Sequence, residues 1–263
     1  MTASPAHLVR IDRHDDGVAE VVLNRPEAMN AVSTAMANAL TAVGDELRAD
    51  TGVRAVVVTS SHEKAFCVGA DLKERNGFSD EDLRAQRPGN RLAYRALYDL
   101  PVPTIAAVDG HALGGGCELA LACDLIVAGP KASFALPEVS VGVIPGGGGT
   151  QLLTRRIGWS RAADLIFTAR RIDGSEAARL GLVDRTVEDA KGEALALART
   201  IAQHSPVGVR NAKAAMRGGL DMDLDEGLDL EDERWHDTAF SADRAEGVRA
   251  FAEKRRPEWP GLG

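Results

Sequence analysis

Glu118 and Glu138 lie twenty positions apart, each beside a glycine-rich segment, and they are the residues best able to do chemistry in this chain. Two carboxylates facing one cavity can divide general-base and general-acid work around a bound water. Glu118 follows Gly114-Gly-Gly-Cys and opens the run Leu119-Ala-Leu-Ala-Cys123, so it reads as the first turn of a short, almost wholly apolar helix. Such a helix has hardly any solvent-facing side, which would enclose the acid; desolvation would raise its pKa while the helix terminus and any donors would lower it. An ordinary first-turn glutamate favoured by the helix dipole also fits. Glu138 follows Pro137, whose ring disfavours helix in the residue before it, so this acid reads as a loop residue, either turned into a cavity or solvated.

Two turns, at Gly69-Ala-Asp and Gly114-Gly-Gly, each follow a predicted strand and precede a helix or polar segment. Each can aim backbone N–H groups outward, the second reinforced by a helix N-terminus. Two converging N–H donors are what a developing enolate oxygen requires, because fixed donors stabilise charge that appears only in the transition state. The same glycines would also serve for tight turns and close packing. Other chemistries lack their parts. No Gly-x-Ser-x-Gly elbow is present, Gly146-Gly-Gly-Gly-Thr lacks the lysine of a phosphate-binding loop, and no histidine or third acid stands at metal-ligand spacing. His111, within the key stretch, reads as a strand-to-turn residue.

The elements that must position these groups alternate. Val18 to Asn24 reads as a strand closed by Arg25-Pro26; Ser33 then caps a helix whose Met36, Leu40, Val43 and Leu47 form one apolar face. Val53 to Thr59 is a second buried strand feeding Lys64 to Lys73. Gly77 to Gly89, with Pro88 and little periodicity, is expected to be mobile or irregular, ahead of a helix from Asn90 to Leu100. Strands at Thr104 to Val108 and Asp124 to Ala128 flank the Glu118 helix, completing an α/β pattern. Beyond Thr150, a helix is expected at Ser160 to Ala169. Asp173-Gly-Ser-Glu176 can cap another that stops at Gly181, and Leu182 to Val187 reads as a short strand. From about Ala190 only helices follow: Glu193 to Gln203, Pro206 to Arg217, Leu224 to about Phe240, and Glu246 to Arg256. Ser205-Pro206 is a suitable cap and first-position pair, so a boundary is drawn between residues 1–204 and 205–263.

The totals limit the alternatives. The chain has 263 residues, 44% of them apolar, which suffices for a substantial core. A net charge of -8 argues against nucleic-acid or anionic-membrane partners. The N-terminus lacks the basic and apolar regions of a secretory signal, and no run approaches the ~20 apolar residues of a membrane helix, so a cytoplasmic protein is expected. Cys67, Cys117 and Cys123 read as reduced apolar fillers.

Five motifs in order, spanning nearly the whole chain, resemble the enoyl-CoA hydratase/isomerase (crotonase) superfamily. They are Leu23-Asn-Arg-Pro-Glu-Ala-Met-Asn-Ala31, Phe66-Cys-Val-Gly-Ala-Asp-Leu-Lys73, Gly110-His-Ala-Leu-Gly-Gly-Gly-Cys-Glu-Leu119, Phe134 to Gln151, and Ala245 to Arg255. The resemblance implies a crotonase-like spiral of ββα units over residues 1–204 and a C-terminal helical region that forms trimers, commonly paired as hexamers. It implies a coenzyme A thioester as substrate and no separate cofactor, the coenzyme A being part of the substrate. By position, Ala70 and Gly115 would supply the oxyanion-hole N–H groups. Ala28, Asp71, Leu72 and Lys73 would lie along the coenzyme A path, with Phe251 and Lys254 approaching from the C-terminal helix or a neighbouring subunit. Hydratases similar to this chain keep both glutamates, whereas many isomerases keep only the one matching Glu138. The pair therefore implies syn addition of water to a trans-2-enoyl-CoA, with Glu118 as base for the water and Glu138 as proton donor to C2. An isomerase, a decarboxylase or a thioester hydrolase of the same superfamily, or a non-catalytic RNA-binding homologue, is the alternative. Leu136 and Val68 depart from residues frequent in the family, which leaves the acyl preference open.

Overall fold

The computed structural model describes residues 7–261. In chain order, β1 (Val9–Arg13) and β2 (Val18–Leu23) lead to α1 (Thr34–Ala49), β3 (Ala55–Ser60), β4 (Ala65–Cys67), α2 (Leu72–Arg75) and α3 (Asp80–Tyr98). Next come β5 (Thr104–Val108), β6 (His111–Leu113), α4 (Gly115–Ala122), β7 (Leu125–Ala128), β8 (Ser133–Ala135), α5 (Gly149–Ile157) and α6 (Trp159–Thr168). The chain continues through β9 (Ile172–Asp173), α7 (Gly174–Leu180), β10 (Arg185–Thr186), α8 (Ala190–Ala202), α9 (Pro206–Gly218), α10 (Leu224–Ala239) and α11 (Ala242–Glu253).

The strands form two sheets, ordered β1-β2-β3-β5-β7-β10 and β4-β6-β8-β9. Among the described residues only β1 with β2 and β8 with β9 pair antiparallel. From β3 to β8 the chain alternates between sheets, laying one strand in the larger and the next in the smaller. The ends of β4, β6 and β8, each from a different turn of this spiral, are therefore lateral neighbours. Strand spacing of about 4.8 Å brings whatever follows them within reach of one small molecule.

The inner strands of the larger sheet are apolar on both faces because both faces are covered. One face packs on α1, α3 and α4, in the main core with Met36, Leu40, Leu47, Leu97 and Leu119. The other meets α8 through Ala190, Ala194, Ala198 and Ala202, a stripe of small side chains that lets the helix lie close to Val57, Ile105 and Val127. α9 is docked on the sheet by ions: Lys213 Nζ donates to Asp124 Oδ2 at 2.7 Å, and the Arg217 guanidinium donates to Asp124 Oδ1 at 2.6 Å.

Several elements differ from expectation. Gly77 to Gly89 is not irregular: α3 starts at Asp80 behind a complete capping box between Ser79 and Asp82, and it runs through Pro88. α5 had no counterpart in the sequence reading. The strand expected over Leu182 to Val187 shortens to Arg185–Thr186, and the last helix begins at Ala242, behind a Ser241 cap, instead of near Glu246. Among the described residues no helix is long and apolar enough to cross a membrane.

Candidate active site

A cleft of about 570 Å³ opens at the ends of β4, β6 and β8, lined by Ala70, Leu72, Gly115, Glu118 and Glu138 among others. Each spiral turn contributes one part. After β4, the backbone of Val32 bridges across Ala70, Val32 N–H donating to Gly69 O at 2.7 Å and Val32 O accepting from Asp71 N–H at 3.1 Å. That parallel bridge uses the groups of Gly69 and Asp71, so the N–H of Ala70 points the other way, towards the cleft. After β6, Gly115 is the first residue of α4, where N–H groups have no partner within the helix. The two turns nearly touch: a Cβ on Gly69, whose φ is +89°, would fall 3.0 Å from Gly115 N and 2.8 Å from Leu113 O. A side chain on Gly69 would thus wedge the two amides apart.

The first turn is held from behind. Asn30, fully buried with φ +56°, accepts from Arg25 N–H and donates to Ser60 Oγ and to Phe66 O. A non-glycine residue in the left-handed region needs such compensation. Arg25 donates to Asp71 Oδ2 at 2.6 Å, while Asp71 Oδ1 caps α2 by accepting from Lys73 and Glu74 N–H. The Arg25 guanidinium and these N–H groups outweigh burial and hold the Asp71 carboxyl below its usual range. Asp71→Ala would remove the cap and leave Arg25 without its carboxylate. A stability loss of about 2 kcal/mol is expected, a few degrees in Tm by thermal unfolding.

Glu118 is 2% exposed. Its Oε1 accepts from Gly147 N–H at 2.7 Å and Gly149 N–H at 2.8 Å, so the glycine run after the second acid anchors the first. Burial raises the Glu118 pKa, and the amides of Gly147 to Gly149 work against that rise. Glu138 opens a 3-10 turn, Glu138–Val141, beyond β8, and its Oε2 is buried without a hydrogen-bond partner. Burial, with the nearby Glu118 charge adding to it, pushes its pKa up to about 7. The two acids thus sit in different settings, one braced by donors and one bare. Missing side chains shape the space around them: a Cβ on Gly114 would come 2.8 Å from Glu138 Oε1, and one on Gly115 would come 2.0 Å from the Tyr94 hydroxyl.

The structure gathers Ala70, Leu72, Gly115, Glu118 and Glu138 around one cleft. Ala28 ends a 3-10 turn adjoining the Met29 carbonyl, which accepts from Val68 N–H beside the first glycine turn. Lys73 lies on α2 and is exposed, and the Asp71 side chain is turned inward. Phe251 and Lys254 do not line the cleft; Phe251, 87% exposed, is on α11, which packs on α9 and α10, and Lys254 is the residue that ends that helix. Tyr94, Arg75, Gln86 and Arg87 also line the cleft and were not singled out from sequence. The continuation of α3 back to Asp80, signalled by the Ser79 cap, is what brings Gln86 and Arg87 there. Cys67 packs behind the first turn and donates to Asn30 O; burial pushes its thiol up to about 12, consistent with a packing group.

Known proteins are similar to this chain over nearly its whole length. The chain is 41% identical over 257 residues to human mitochondrial methylglutaconyl-CoA hydratase, covering 95% of this chain and 76% of that one. The crystal structure of an enoyl-CoA hydratase from Bacillus anthracis superposes with a TM-score of 0.94 at 40% identity, covering 97% of this chain and 99% of the other. An enoyl-CoA hydratase from Mycobacterium tuberculosis H37Rv gives 0.88 at 34% identity over 98% and 100%. The alternating two-sheet spiral with its C-terminal helices is thus the crotonase fold. Residues 13–261 also match the sequence pattern of the enoyl-CoA hydratase/isomerase family, and to that family the chain belongs.

Proposed function

We propose that the chain is an enoyl-CoA hydratase, adding water syn across the C2=C3 bond of a trans-2-enoyl-CoA. The observation that supports this most is the contrast between the acids: Glu118 braced by two N–H donors and Glu138 with a bare, buried oxygen and a pKa near 7. A braced carboxylate suits a base. A bare one held partly protonated suits an acid. In the reaction, Glu118 takes a proton from water as the water oxygen bonds to C3. The π electrons move through C2 towards the thioester carbonyl, whose developing oxyanion is met by the N–H groups of Ala70 and Gly115. Glu138 then gives its proton to C2. Water supplies all the added atoms, and the acids reset when one proton passes from Glu118 back to Glu138.

The coenzyme A would reach the cleft along Ala28, Asp71, Leu72 and Lys73, with Phe251 and Lys254 contributed by the C-terminal helices or another subunit. Residues 205–263 would form the oligomerisation region attached to the core of residues 1–204. Exposed apolar side chains on α9, α10 and α11, such as Met216, Trp235 and Phe251, support that role. Sedimentation should give the mass of a trimer or a dimer of trimers; a monomer would contradict it. The activity itself is tested with crotonyl-CoA. Loss of the conjugated thioester absorbance and a product heavier by one water are expected, whereas an isomerase would leave the mass unchanged.

A further inference from the structure

The wall of the cleft built by α2 and α3 carries charge that a plain hydrocarbon tail would not use. α3 forms the outer wall, and with Leu83, Val141, Val143 and Ile144 it lines the space with apolar groups. Into the same wall project Arg75, Arg87 and Gln86. Arg84, on the same helix, is paired with Asp80, but among the described residues neither Arg75 nor Arg87 has a carboxylate at ion-pair distance. Arg75 is oriented: its Nε donates to Gln86 Oε1 at 3.2 Å, and Gln86 Nε2 donates to Thr34 Oγ1 at 2.7 Å and to Glu74 Oε2 at 3.2 Å. The Glu74 carboxylate is itself occupied by Thr34 N–H at 2.9 Å, so its charge belongs to that brace. Arg87 reaches across to the glycine run, where a Cβ on Gly146 would fall 3.0 Å from its Nη1.

We propose that this cleft selects a 2-enoyl-CoA whose acyl tail ends in a carboxylate, held by Arg75 and Arg87. The proposal rests on the hydratase reading and deepens it. A cleft that already holds Glu118 and Glu138 would repel an anionic tail, and two guanidiniums in its lining, Arg87 near enough to lower the Glu118 pKa, offset that repulsion. Arginine suits the task because its planar fork matches a carboxylate and stays charged at any working pH. A methyl-ended tail would instead have to lie against both guanidiniums and strip some of their water without offering an acceptor.

The test compares trans-2-hexenedioyl-CoA with its terminal amide, which has the same length and no charge, and with crotonyl-CoA, using the full-length protein. Charge-assisted hydrogen bonds of the usual strength predict kcat/KM about 10- to 100-fold higher for the acid than for the amide. The preference should reside in KM and shrink as salt is raised. Arg75→Gln and Arg87→Gln should each reduce the acid-to-amide ratio, and the double variant should bring it close to one. The ratio is the readout because any change the arginines impose on Glu118 acts on both substrates alike. Equal kcat/KM for acid and amide in the parent, or a preference that survives in the double variant, would overturn the inference and leave the hydratase reading standing. Failure to add water to any of the three thioesters would overturn that reading, and the inference with it.

Discussion

Glu138→Gln should lower kcat for hydration by about 100- to 10,000-fold, the usual contribution of one general acid, with a much smaller change in KM. Glutamine keeps the shape and removes the transferable proton. Glu118→Gln should fall in the same range, and the double variant should fall little further than the worse single, because both acids serve one event. Full activity in the double variant would remove the acid pair from the mechanism. The pH profile gives a second check. As the proposed acid Glu138 must carry its proton, and burial pushes its pKa up to about 7, so kcat/KM should decline as pH rises through about that value. Glu118 must be ionised, so activity should also decline on the acid side, as its raised pKa is crossed. The two limbs belong to the coupled pair and not to either residue alone. In Glu138→Gln the alkaline limb should vanish from the residual activity. Stability runs in the same direction: a carboxyl whose folded pKa lies above its unfolded value favours folding at low pH and loses that contribution as pH rises towards 7. Glu138→Gln should therefore unfold at a higher temperature than the parent at pH 8, the gap closing near pH 5.

Gly69→Ala should be nearly as damaging although it removes no reactive group. The added carbon has 2.8 Å to Leu113 O and 3.0 Å to Gly115 N, and the backbone at φ +89° already disfavours a side chain. Either the two turns separate or the Gly69 turn changes conformation. In both cases the N–H groups of Ala70 and Gly115 cease to meet one oxygen. Loss of one oxyanion donor costs about 100- to 1,000-fold in kcat, and the effect here should be of that order. A binding assay with a saturated acyl-CoA distinguishes this from general unfolding: affinity should be largely retained while turnover is lost. Unchanged kcat would mean that the oxyanion is stabilised elsewhere.

How much of this was legible beforehand follows from where each signal resides. Both glutamates, both glycine turns and the apolar strands were readable because enclosure on all sides leaves an unbroken apolar run, and a tight turn leaves glycine. The first two turns of α3 were not readable by periodicity, since Asp80 to Ala85 is exposed all round and has no buried face to repeat. Pro88 then reads as a breaker even though the helix passes through it. The Ser79 and Asp82 pair was the usable signal. The start of α11 was hidden differently. Its inward positions include acids, Asp243 accepting from Ser205 Oγ and Gly261 N–H, and Glu246 accepting from Arg255 and Glu258 N–H. A pattern search for apolar residues passes over a stripe built from buried carboxylates. At the site, the sequence offered Gly146 to Gly149 as a motif without a task, and only the fold shows that this run grips Glu118.

The outer position of the first half of α3 has a consequence for how such a protein can change. Ala70, Gly115, Glu118 and Glu138 all hang from the ends of the smaller sheet or from α4, and none comes from α3. The half of the helix that borders the cleft is tied to α1 and α2 through the Gln86 brace, with solvent on its far side. Rewriting its exposed turns could therefore exchange one tail preference for another without moving a reacting atom. On the proposed reading, choice of substrate and preservation of reaction rest on separate stretches of the same chain.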